Sequence, residues 1–443
     1  MALRIGAGAG QAYDRIGPAQ DLAQNGELDY LVFECLAERT LAHGHVERMR
    51  DPSRGYNPML EARLRAVLPA CRARGTCIIT NMGSANPIAA GEVTARVARQ
   101  LGYDGLRIVV VLGDDVTALI DESTALPELG TTVGAFGRTV VGANAYLGAE
   151  AILPALQEGA EIVITGRVAD PSLFLAPIAY RFGWHPHDWD RIAFGTVVGH
   201  LLECTTQVTG GYFADPGYKD VPRLDELGYP LAEVSEDATA VITKLPYTGG
   251  LVSSLTVKEQ LLYEVHDPRS YLTPDVSADF SQVRVQDLGG DRVAVGNARG
   301  RERPAELKAL VAFDGGFRAE AEFSYGGPGA QERAELARDI VRRRMTEKFG
   351  CREPMRFDLI GVNSIHATGV TRATDTEDVR LRVAMRSFDR AWAELLFSEV
   401  DGLHMAGPAG GGGYRNMLTP IVMTQPTFIA REQVKTRVET MIA

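Results

Sequence analysis

The sequence predicts an α/β fold: a mostly parallel, Rossmann-like sheet flanked by helices, followed by a smaller C-terminal α+β domain. Three observations carry this expectation. Short apolar, β-branched segments alternate with helical ones over the first 185 residues, the pattern of βαβ crossover units. The helical stretches there end in glycine, a common C-cap. Beyond residue 278 the texture changes to strand pairs around Gly-Gly-Asp and Asp-Gly-Gly turns, with charged helices between them. The predicted domains are therefore 1–278 and 279–443, and two domains suit a chain of 443 residues.

Taken in order, LRIGA, LDYLVFE, GTCIITN, GLRIVVVLGDD and GAEIVITGR read as strands covered on both faces. Helical patterns lie between them in QAYDRIGPAQDLAQNG, NPMLEARLRAVLPACRARG, PIAAGEVTARVARQLG and GANAYLGAEAILPALQEG. DRIAFGTVVGHLLECTTQVTGG predicts a further helix, and GYFADPGYKDVPRLDELGYP a long irregular segment. ATAVITKL reads as a strand and VKEQLLYEVHDP as a helix. In the second domain, VRVQDLGGDRVAVGNARG and ELKALVAFDGGFRAEAEFSY each predict two strands around a glycine turn. AQERAELARDIVRRRMTEKFG and DRAWAELLFSEVDGLH read as helices, MRFDLIGVNSI and DVRLRVAMRS as strands, and HMAGPAGGGGYRNM as a surface loop.

Composition narrows the class. The chain is 45% hydrophobic and 23% charged, with a net charge of −11, which disfavours nucleic-acid and anionic-membrane partners. Cys35, Cys71, Cys77, Cys204 and Cys351 are odd in number and contain no CxxC pair, as expected of free thiols in a reducing cytoplasm. Neither a basic-then-apolar leader nor a run of about 18 apolar residues is present.

Ligands of parallel sheets gather beyond the carboxyl ends of the strands. Those ends carry Gly6, Gly8 and Gly10, then Glu34, Asn81, Asp114, Asp115, Arg167 and Asp170; helix capping is the plain alternative for the aspartates. The opening GAGAG departs from the dinucleotide fingerprint GxGxxG, because Gln11 stands where the third glycine belongs. Its expected role is one wall of an anion-binding crevice, with backbone amides at a helix N-terminus and Glu34 facing it. His200, Glu203 and Cys204 share a helix face at i, i+3 and i+4, and Gln207 continues the stripe. An imidazole beside a carboxylate is a usable acid/base pair; the plain alternative is a buried pair that satisfies itself. The HxH pairs His43/His45 with Glu47 and His185/His187 with Asp188 suggest no third metal ligand. HExxH, Walker and GxSxG motifs are absent.

The stretches GAGAG-QAYDR, ELDYLVFECLAERTLA, ITNMGSANP, EIVITGRVADPSLFLAP, GHLLECTTQVTGGYFADP and YEVHDPRSYLTPD together resemble the acyclic terpene utilisation protein family (AtuA) over roughly residues 3–420. The resemblance implies an α/β fold in the context of acyl-CoA metabolism. It also implies a small ferredoxin-like domain, expected here as a separate subunit.

These readings lead to an expected enzyme of acyl-CoA or small-carboxylate metabolism, a lyase of the hydratase/dehydratase kind that needs no cofactor. His200, Glu203, Glu34 and Asp170 would move protons; Gly8, Gly10, Asn81, Arg167 and Gln207 would bind substrate. An ester or thioester hydrolase, a non-catalytic acyl-CoA-binding or scaffold subunit, and an NAD(P)-dependent oxidoreductase remain alternatives. A homo-oligomer is expected.

Overall fold

The computed structural model describes residues 2–365 and 376–443. The chain divides into two compact units, Met1–Phe313 with Thr424–Ala443, and Asp314–Met423. The boundary expected at 278/279 falls inside the first unit.

In the first unit, among the described residues, ten strands form one sheet. They are β1 (Leu3–Gly10), β2 (Tyr30–Glu34), β3 (Cys77–Thr80), β4 (Arg107–Leu112), β5 (Ile162–Ile164), β6 (Pro230–Ser235), β7 (Thr239–Lys244), β8 (Arg284–Asp287), β9 (Val293–Gly296) and β10 (Arg437–Ile442). Their order across the sheet is β8-β9-β7-β6-β1-β2-β3-β5-β4-β10. The neighbours from β1 to β4 pair in parallel, and every other pairing is antiparallel. The expected mostly parallel, Rossmann-like sheet is thus corrected to a mixed one in an α/β fold. The physical reason lies in the connections: Glu236, Asp237 and Ala238 alone join β6 to β7, too short a link for a parallel crossover.

The parallel strands are buried almost continuously, as in Ile108–Leu112 and Leu31–Glu34, which accounts for their apolar runs. Helices Gly17–Asn25, Leu60–Arg74 and Pro87–Gln100 pack on one face through Leu22, Val67 and Val97. Helices Ser172–Phe182 and Trp189–Glu203 also pack against β1. The second of these is buried from Ile192 to Glu203, so its sequence is mostly apolar around the helix rather than amphipathic. No helix among the described residues is long and apolar enough to cross a membrane.

Two expectations at the N-terminal half change. GAGAG lies wholly within β1, and the following helix starts only at Gly17, where Pro18 suits a first turn. The intervening residues are held by the buried Arg63, which donates to the carbonyls of Gln11 and Asp14 at 3.3 and 3.2 Å. GANAYLG was expected to open a helix, but Val140–Ala145 is a strand and the helix shrinks to Leu153–Gln157.

In the second unit, helices Ala330–Arg343 and Arg390–Asp401 cover an antiparallel sheet through a core of Phe323, Tyr325, Leu381 and Val383. The expected hairpin around Asp-Gly-Gly is instead one continuous strand, Glu306–Gly326. Gly316 takes φ +74, and a Cβ on Gly315 would sit 2.8 Å from the Ile421 carbonyl oxygen. The glycines therefore serve a close strand-to-strand approach and not a turn. The expected loop at GGGGYRNM likewise opens the long strand Gly411–Ala430.

Candidate functional site

Glu34 is the last residue of β2, Asn81 follows β3 directly, and Arg167 and Asp170 follow β5. Glu34 Oε1 accepts hydrogen bonds from the Leu36 amide and from Asn81 Nδ2, both at 2.8 Å. Asn81 Oδ1 in turn accepts from the Cys35 amide at 2.7 Å. Asn81 is fully buried, so both ends of its amide are committed and its rotation would break both bonds. Glu34 Oε2 takes no hydrogen bond among the described residues. Burial pushes the Glu34 carboxyl above its ordinary value; Arg167, the Leu36 amide and Asn81 oppose that push, while the Glu203 carboxylate adds to it.

Arg167 was expected to clamp a substrate anion, and here the geometry corrects the expectation. Its side chain is 1% exposed. Nε and Nη2 donate to the Val168 carbonyl at 2.8 and 2.6 Å, Nη1 donates to the Leu36 carbonyl and Nη2 to Asp170. One of the five guanidinium hydrogens is left. The cation lies 4.5 Å from the centroid of the Tyr146 ring. Arg167 is a fixed internal charge beside Glu34, and Asp170 is its ion-pair partner.

The spacing of His200 and Glu203 delivers the predicted pair: His200 Nδ1 and Glu203 Oε1 are 2.9 Å apart on one face of the helix Trp189–Glu203. The plain reading of a self-satisfied pair covers only one atom of each residue. Among the described residues, His200 Nε2 and Glu203 Oε2 are both buried without a partner. The imidazole packs against the Tyr271 and Phe280 rings, whose centroids are 5.3 and 5.4 Å away and 4.8 Å from each other. Gln207 leaves this stripe, because the helix ends at Glu203 and a single 3-10 turn, Thr205–Gln207, follows. Its amide meets the Tyr263 hydroxyl instead.

Gly8 and Gly10 do not build an anion cradle. A Cβ on Gly8 would lie 2.5 Å from the Phe33 ring, so this glycine makes room for an aromatic core residue. A Cβ on Gly10 would lie 2.7 Å from the Glu203 carbonyl oxygen, so this one lets β1 approach the end of the Glu203 helix. The Gly10 amide donates to Asp14 Oδ2 at 2.8 Å, which leaves it unavailable to a ligand.

Several participants were not singled out from the sequence. Asp114, a strand-end residue whose plain alternative is a helix cap, accepts from the Arg167 amide at 2.7 Å and from Asn144 Nδ2 at 2.8 Å. Asn144 Oδ1 continues to His45 Nε2 at 2.5 Å. Tyr146 donates to Glu38 at 2.8 Å, and Lys308 Nζ donates to the same carboxylate oxygen at 2.9 Å. Tyr271 directly precedes the LTPD segment. A carboxylate four residues after Glu34 was the available signal for Glu38; Lys308 and Tyr271 carried none.

Among the described residues, no group of three or more His, Cys, Asp and Glu side chains is arranged to hold a metal ion. His187 of the second HxH pair stacks on Trp189 at 5.1 Å. The sequence profile of the family described as acyclic terpene utilisation family protein AtuA matches residues 3–440. No curated protein and no solved structure matches the chain.

Proposed function

The chain belongs to the acyclic terpene utilisation (AtuA) family, and from that premise and the site geometry we propose an acid/base enzyme, a lyase of the hydratase/dehydratase type. The substrate class proposed is a small carboxylate or acyl thioester, and the compartment proposed is the cytoplasm, in keeping with five free cysteines. One observation carries the reading: two neighbouring carboxyl groups are held in unlike settings. Glu34 is pushed toward its protonated form by burial and by Glu203, whereas Glu203 keeps Oε2 open while His200 holds Oε1. The carboxyl pushed toward its protonated form supplies the acid, and the carboxyl with an unpartnered oxygen supplies the base.

In the dehydration direction, Glu203 Oε2 takes the proton from the carbon α to the substrate carbonyl. Glu34 gives its proton to the departing β-hydroxyl, which leaves as water as the α–β double bond forms. Hydration reverses both transfers. Asn81 fixes the Glu34 carboxyl, and His200 fixes that of Glu203. Arg167 supplies a buried positive charge that limits the rise of the Glu34 pKa.

The test is proton exchange. The full chain, incubated in deuterium oxide with 3-hydroxybutyryl-CoA or 3-hydroxyhexanoyl-CoA, should place deuterium at the α-carbon, and Glu34→Gln and Glu203→Gln should abolish it. Exchange that persists in both variants contradicts the assignment.

A further inference from the structure

We propose that the cavity of about 380 Å³ beside Asp170 seats the apolar acyl chain of the ligand, and that Lys308 at its rim receives the ligand's negative charge. The proposal deepens the proton-transfer reading and rests on it only for which end of the chain lies toward Glu34. The cavity has the size of a small-molecule site, apolar with few polar groups. Its walls include Tyr271, Leu272, Pro274, Leu307 and Phe428.

Two walls connect it to the acid/base cluster. The Tyr271 ring, which borders the cavity, also packs against the His200 imidazole. Asp170, which also borders the cavity, pairs with Arg167. An acyl group seated here therefore has the proton-transfer cluster at its side.

The charge argument selects Lys308. Asp170 is already neutralised by Arg167, and Arg167 has too few free hydrogens to clamp an anion. Lys308 lines the same cavity with its side chain 45% exposed; among the described residues it pairs with Glu38, and its ammonium lies 5.0 Å from the Tyr146 ring centroid. An exposed pair of this kind is weak, so the ammonium can turn to a ligand at little cost. Glu38 then keeps the Tyr146 hydroxyl as a partner. The ligand chemistry is thus an apolar acyl chain attached to an anionic group, which a free carboxylate and a CoA thioester both satisfy.

Isothermal titration of the full chain with hexanoate, hexanoyl-CoA and CoA alone tests this and separates the two sources. Leu272 is 63% exposed at the mouth, so Leu272→Asp leaves the fold intact while placing a charge against the acyl chain. At least one hexanoyl ligand should bind, with affinity reduced about tenfold by Leu272→Asp and severalfold by Lys308→Gln. CoA alone should bind more weakly than hexanoyl-CoA. Glu34→Gln should bind the hexanoyl ligand as the unaltered chain does; if the unaltered chain binds it but exchanges no proton on the 3-hydroxyacyl substrates, the lyase reading is contradicted and the acyl seat stands. Absence of binding by both hexanoyl ligands overturns the acyl seat, as does unchanged affinity in Leu272→Asp. Unchanged affinity in Lys308→Gln overturns the assignment of the anion to Lys308.

Discussion

Asn81 Nδ2 donates to Glu34 Oε1 at 2.8 Å while Asn81 Oδ1 accepts from the Cys35 amide at 2.7 Å. One buried amide thereby ties the end of β3 to both the backbone and the acid of β2. Replacing it with alanine leaves a carboxyl oxygen and a backbone amide short of partners, at a cost of about 1–3 kcal/mol. Urea unfolding should register that loss in Asn81→Ala. Deuterium exchange should slow while affinity for hexanoyl-CoA holds, because Asn81 positions Glu34 and is not among the cavity walls. Unimpaired exchange would show that Glu34 needs no such support.

Glu34→Gln should stabilise the protein at neutral and alkaline pH. The folded-state pKa of Glu34 is raised, so between its unfolded and folded values the native state holds a proton that the unfolded chain has lost. Stability then falls as pH climbs through that window. Glutamine has no proton to lose, and its carbonyl still accepts from Leu36 and Asn81. The gain in melting temperature over the unaltered chain should be near zero at about pH 4 and grow toward about pH 8. A constant difference across that range would contradict a raised Glu34 pKa.

His200 acts through Glu203 in this account. His200→Ala should remove the partner of Glu203 Oε1 and open a gap beside Tyr271 and Phe280, destabilising the fold by about 2–4 kcal/mol. The informative comparison is His200→Asn, which keeps a donor near Glu203. It should recover part of the exchange rate lost in His200→Ala, and equal rates in the two variants would count against an orienting role.

Gly8 and Gly10 should fail differently when enlarged. Gly8→Ala meets the Phe33 ring and should lower the melting temperature. Gly10→Ala meets the Glu203 carbonyl and the Cys204 backbone, so it should displace the base and depress exchange more than stability. Inorganic phosphate should raise the melting temperature of neither the variants nor the unaltered chain through this strand, since the Gly10 amide is bonded to Asp14. Phosphate stabilisation lost specifically in Gly10→Ala would restore the anion-cradle reading.

Much of the site was legible where local pattern and chemistry coincide. The His200–Glu203 spacing sets a helical contact, and Glu34, Asn81 and Arg167 sit at strand ends because apolar runs mark where those strands stop. Strand direction was less legible, since the apolar pattern of a strand is nearly the same whether its neighbour runs with it or against it. The role of GAGAG depends on Phe33 and on the end of the Glu203 helix, both remote in sequence. Arg167 looked available because its partners are largely the backbone carbonyls of Leu36 and Val168, which no residue type advertises. The cavity escaped notice because Tyr146, Asp170, Leu272 and Lys308 come together only through long-range packing.

The central claim is that the Glu34 carboxyl, beside Glu203, titrates above the ordinary glutamate range. Carbon-13 NMR of protein labelled at the glutamate side-chain carboxyl carbon tests it directly, with Glu34→Gln identifying the resonance. The account predicts a carboxyl signal, absent from that variant, that titrates above the other glutamates. A Glu34 signal that titrates with the exposed glutamates, ionised at neutral pH, would contradict it.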